Sequence, residues 1–129
     1  MTQFFDTLET RSADERAEAV AQALPEQINR AKALPGYGSA LKDIDAAAIR
    51  GPSGLATLPV LRKSDLGRAQ RDNAPFGGLT TRPAERFAHI FQSPGPIYEP
   101  GSDSRDWWRM GRFLHACGIG KGDIVQNCF

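Results

Sequence analysis

Residues 86–101 run Arg86-Phe87-Ala88-His89-Ile90-Phe91-Gln92-Ser93-Pro94-Gly95-Pro96-Ile97-Tyr98-Glu99-Pro100-Gly101, two unlike halves on which the C-terminal architecture turns. Phe87, His89 and Phe91 alternate with Ala88 and Ile90, which predicts a strand over about 86–92. Apolar residues fall on both faces, so the strand is expected to be covered on both sides. Pro94, Pro96 and Pro100 then remove three backbone donors and fix φ. Residues 93–101 are therefore expected to form neither helix nor central strand, but a loop held against a neighbour.

Toward the C-terminus, Asp103 or Ser104 is placed to cap a helix over 104–117. Its stripe is Trp107, Met110, Leu114 and Cys117, and Gly118 occupies the left-handed position that ends a helix. Gly120-Lys121-Gly122-Asp123 reads as a turn, and Ile124–Phe129 as a second strand. The order strand, loop, helix, strand predicts a right-handed parallel crossover. The expected fold class is α/β: N-terminal helices, then the first strand-loop-helix-strand unit of a larger domain. Residues 1–72 form the helical region and 73–129 the start of the α/β part.

Toward the N-terminus, Ser12 and Glu15 form a capping box, so a helix starts near Ala13. Its stripe runs Ala17, Val20, Ala21, Leu24 and Ile28. Pro25 favours two helices over one, the second stopping at Leu34 before Pro35-Gly36-Tyr37-Gly38. A short helical piece is predicted around Asp45–Ile49 and one more turn over 53–59, with Leu55 and Leu58 packing down. Ser64 is read as the N-cap of a helix through about Gln70. That helix carries Arg62, Lys63, Arg68 and Arg71 on a solvated outer face.

The chain has 129 residues, with 16 Lys and Arg against 15 Asp and Glu. This near balance excludes binding to nucleic acid or an anionic membrane through net charge. No run is long and apolar enough to span a membrane, and the acidic start does not resemble a signal peptide. Two cysteines cannot build a disulfide framework, so a reducing cytoplasm is expected, with Cys117 and Cys128 as buried small hydrophobes. Thirteen glycines and nine prolines without a short period point to short elements and tight connections.

Ligands of α/β sheets gather at the carboxyl ends of strands, which singles out Ser93 to Gly101. Three prolines and Glu99 are poor material for a phosphate cradle. Gly118–Asp123 lacks both the following helix and the Lys-Ser/Thr ending of a phosphate loop, and reads as a helix end plus turn. His89 and His115 lie far apart without ligand-spaced partners, so they are expected to be packed and no metal site is expected. One of Trp107 and Trp108 is expected in the core and the other beside it. No nucleophile–base pair stands out.

The order of landmarks carries a resemblance. Leu55-Ala56-Thr57-Leu58-Pro59, Arg62-Lys63-Ser64-Asp65-Leu66, Pro75-Phe76-Gly77, then a strand, a loop, a helix and Gly118-Ile119-Gly120-Lys121-Gly122-Asp123 with Val125-Gln126-Asn127, resembles the N-terminal part of phenylacetate-CoA ligase-like enzymes. These belong to the adenylate-forming acyl/aryl-CoA synthetase superfamily, and the resemblance covers about residues 9–129. It implies an AMP-forming ligase that joins ATP to a carboxylic acid, typically aromatic, and passes the acyl group from the adenylate to the thiol of CoA. ATP, CoA and Mg²⁺ are the implied cofactors. Laid over the family's phosphate loop, the sequence matches at Ser93, Gly95 and Pro100, while the loop's lysine falls on Glu99. Ser93 and Gly95 are thus the implied nucleotide contacts.

By the same resemblance the adenine-, ribose- and Mg²⁺-binding residues and the catalytic lysine would lie beyond Phe129. The chain is then expected to be an incomplete ligase, inactive alone, with the remainder of the ligase chain or a homo-oligomer partner completing it. The alternative is a non-catalytic partner-binding module or remnant of such a ligase, docking through helix 104–117 and the open sheet edge.

Overall fold

The computed structural model describes residues 4–126 and 128. Those residues form a mixed α/β structure with five α-helices and one two-stranded antiparallel sheet. The chain divides into two compact units, residues 12–102 and residues 1–11 with 103–129. Helices α1 to α4 fall within residues 1–72, and the strands and α5 within 73–129.

In the larger unit, α1 spans Ala13–Lys32, and the Ser12–Glu15 capping box is formed with both reciprocal bonds. Pro25 does not divide the helix, which runs through it for 20 residues and buries Ile28 beyond it. The missing Pro25 donor removes one intrahelical bond, and the continuous apolar stripe outweighs that loss. Pro35 begins a helix rather than ending one: α2 spans Pro35–Leu41, with proline at a position that has no intrahelical donor to lose.

A 3₁₀ turn at Ala46–Ala48 is capped by Asp45, whose side chain accepts from the Ala47 N–H. Ile28, Ala46 and Ile49 form the core of this region, with Leu24, Ile44 and Leu58 packed on it. Helix α3 spans Pro52–Leu55. Of the two leucines expected to pack down, Leu58 does so and Leu55 stays exposed. Helix α4 spans Lys63–Asp72. Its N-cap is Arg62, without a side-chain cap bond, so Ser64 sits in the first turn rather than before it.

The hairpin corrects the expected crossover. Strand β1 spans His89–Ser93 and pairs antiparallel with β2, Ile97–Gly101, from His89↔Gly101 to Ser93↔Ile97. The stretch expected to be a loop thus contains the second strand. Proline is tolerated there because β2 is an edge strand. Strand β1 is not covered on both faces, since Ile90 and Phe91 are about half exposed. Before it lies a 3₁₀ turn at Ala84–Arg86.

In the smaller unit, α5 spans only Gly111–Ala116. The helix expected over 104–117 is interrupted, because Asp106 and Arg109 take left-handed φ values of 53° and 54°. The Asp106 carboxylate accepts from the Gly111 N–H at 2.8 Å, an irregular start to α5. The helix end matches expectation: Gly118 has φ 84°, its N–H donates to His115 and the Ile119 N–H donates to Leu114. Arg112 pairs with Asp6 and lies 5.9 Å from the Phe5 ring centroid, while Phe5 meets His115 edge-on.

Residues 124–126 are not in a strand, and Ile124 and Val125 are exposed. The rest of the expected strand, at Asn127 and Phe129, lies outside the described residues.

Candidate phosphate-facing cleft

Ser93 and Gly95 sit at the tip of the hairpin. A strand reversal across Pro94-Gly95-Pro96 needs one residue outside the ordinary backbone regions, and Gly95 supplies it with φ 118°. A side chain at Gly95 would meet nothing within 4 Å, so the backbone angle and not crowding demands glycine. The Ser93 hydroxyl donates across the mouth of the turn to the Ile97 carbonyl at 3.4 Å. Ser93 is half-buried and Ile97 buried.

One buried side chain fixes this turn to α4. The Gln70 amide is both donor and acceptor, and it uses both on one residue: its Nε2 donates to the Tyr98 carbonyl at 2.8 Å, and its Oε1 accepts from the Tyr98 N–H at 2.9 Å. Gln70 is 7% exposed, so the bonds satisfy an amide that burial would otherwise penalise. The side chain stands where a further strand would, and it holds β2 against the helix.

This docking turns the basic face of α4 toward the hairpin tip. A cleft of about 400 Å³ lies between Lys63, Ser64, Gly67, Arg68 and Arg71 of α4 and Pro94, Gly95 and Ile97 of the hairpin. Three cations line it and no carboxylate does. None of the three is in an ion pair among the described residues. A Cβ at Gly67 would make ordinary contact with Ile97 and Arg71, so the helix approaches the hairpin closely here.

The arrangement is suited to holding an anion. Two guanidiniums offer paired donors to phosphate or carboxylate oxygens, and the lysine ammonium adds a third charge. Beside these cations the cleft offers the Ser64 hydroxyl, and no imidazole, thiol or carboxylate lines it.

The basic run 62–71, read from sequence as a solvated face, contributes five of the cleft's eight residues, three of them cations. The helical spacing of Lys63, Ser64, Gly67, Arg68 and Arg71 was a visible signal for a common face. Their meeting with residues 94–97, and the role of Gln70, depend on long-range packing that periodicity does not encode.

The remaining candidates stay apart. His89 stacks on Phe91 at 5.8 Å between ring centroids but is exposed, not packed as expected, and half-buried His115 meets Phe5. Cys117 and Cys128 are exposed, not buried as expected, because neither lies on an element that packs inward. Trp107 is half-covered and Trp108 is 55% exposed, so neither ring is a core residue. Among the described residues no group of three His, Cys, Asp or Glu is placed to hold a metal ion. No helix among them is long and apolar enough to cross a membrane.

No family model matches the chain. No match was found among curated proteins either.

Proposed function

We propose that the chain is the N-terminal portion of a cytoplasmic, ATP-dependent acyl/aryl-CoA ligase. The observation that carries this reading is the cleft in which Lys63, Arg68 and Arg71 face the Pro94–Gly95 turn. It gives the position implied for phosphate contact a positive charge that the turn's own sequence lacks. Lysine is absent from the loop, and Glu99 stands in its aligned place; α4 supplies cations from outside the loop instead.

In this reading the polyphosphate of ATP lies against Arg68 and Arg71, Gly95 permits the turn's geometry, and Gln70 keeps the turn in register with α4. The described residues offer no set of ligands for Mg²⁺, so no step through the metal is assigned to this chain. Adenylation of the acid and transfer to CoA belong to the remainder of the ligase chain or a homo-oligomer partner.

A second reading, a non-catalytic module that docks on a partner, is favoured by the exposure of Trp108, Met110, Phe113, Ile124 and Val125 in the smaller unit. The readings separate in one experiment. ATP–pyrophosphate exchange driven by aromatic acids is measured on the product that the native gene makes, after its intact mass is known. Exchange that falls at least about tenfold in Arg68→Glu/Arg71→Glu supports the ligase reading. A product of 14.1 kDa without exchange favours the docking module.

A further inference from the structure

We propose that the open edge of β1 is a pairing surface for a second copy of this chain. Antiparallel strands alternate between residue pairs that exchange hydrogen bonds and pairs whose backbone groups point away from each other. Gln70 holds both the N–H and the C=O of Tyr98, so Tyr98 points away from β1. The register sets Gln92 opposite Tyr98 and Ile90 opposite Pro100. The backbone groups of Ile90 and Gln92 therefore face outward from the other edge of the hairpin. Pro100 agrees with this phase, because its missing N–H falls at an outward position and costs the ladder nothing. Among the described residues, no hydrogen bond from outside the hairpin reaches Ile90 or Gln92.

Charge and register select a second copy as the occupant. His89–Ser93 contains no Lys, Arg, Asp, Glu or Pro, the residues by which exposed edges commonly refuse another strand. A copy of the same edge therefore brings no like charge against it. The two outward-facing residues straddle Phe91. A two-fold axis through Phe91 sets Ile90 opposite Gln92 of the copy, and Gln92 opposite Ile90 of the copy. Both are outward-facing residues, so both pairs can exchange hydrogen bonds, and the symmetry closes at two chains. Ile90, half exposed in the single chain, gains cover from the copied strand. This surface is independent of the cleft and of the ligase reading.

Sedimentation equilibrium of the 129-residue chain, from micromolar to sub-millimolar concentration, tests the assignment. A reversible monomer–dimer equilibrium is expected. Gln92→Pro removes one outward N–H, as Pro100 already does on β2, and should leave a monomer whose circular dichroism and thermal transition are unchanged. Ile90→Lys should weaken the dimer at least about tenfold by placing a charge on the edge, and it decides the matter if the proline variant does not fold. A chain monomeric throughout, a dimer that survives both substitutions in folded protein, or assemblies larger than two would overturn the proposal. Slow amide exchange at Ile90 and Gln92 in dilute monomer would do so as well, since the edge would then be covered within one chain.

Discussion

The helical region around Ile28 and the segment 103–119 both carry apolar residues at helical spacing, yet one is a 20-residue helix and the other holds a helix of six. Ile28 reaches a surface made by Ala46 and Ile49 and is buried by it. Met110, Phe113 and Leu114 remain exposed. A stripe of apolar residues is an offer to pack, and helix length follows from whether a covered surface accepts it. The capping box adds to the difference, since α1 starts with reciprocal side-chain bonds and α5 starts after two left-handed residues.

The largest expected effect tests that contrast directly. Ile28→Ala should cost about 2–4 kcal/mol, and Leu114→Ala less than about 1 kcal/mol, by urea denaturation followed at 222 nm. Equal costs would mean that burial does not distinguish the two apolar stripes.

Gly36→Ala is expected to cost about 1–3 kcal/mol. A Cβ there would lie 2.5 Å from the Gly77 carbonyl oxygen and 2.6 Å from the Leu79 side chain. The same measurement on Gly120→Ala, where a Cβ meets nothing within 4 Å, should show a far smaller change.

Gln70→Leu should cost about 1–3 kcal/mol by leaving the Tyr98 N–H and C=O without their partner. Hydrogen exchange should speed up at Tyr98 first. An unchanged Tyr98 amide would mean that the helix does not hold the hairpin.

Ser12→Ala should cost about 1 kcal/mol by removing the acceptor for the Glu15 N–H. The smallest effect is expected at Arg109→Gly, neutral or stabilising by at most about 1 kcal/mol, because the native φ is one that glycine adopts freely. A marked loss there would show that the arginine side chain makes up for its backbone strain.

The parts of the fold legible in the sequence were those made by neighbours along the chain. The Ser12–Glu15 box, the short helical piece around Asp45–Ile49 and the left-handed Gly118 each involve groups a few residues apart, and each is formed. The hairpin is half legible: alternation marks β1, but Pro96 and Pro100 conceal β2. An edge strand tolerates proline where its donor faces outward, and whether a strand is an edge is a property of the whole sheet. The candidate site was legible in its two halves. Ser93 and Gly95 stand out in the sequence, as do the cations of α4, but the two halves are joined only through Gln70, 28 residues from Tyr98.

Gln70 has a further consequence, seen when the hairpin is regarded as a monomer in the polymer chemist's sense. A ribbon with two free edges is bifunctional and can grow without limit, the route from native sheet to fibril. By occupying the hydrogen-bonding groups of Tyr98, the glutamine makes the ribbon monofunctional. A unit with one reactive end terminates any chain it joins.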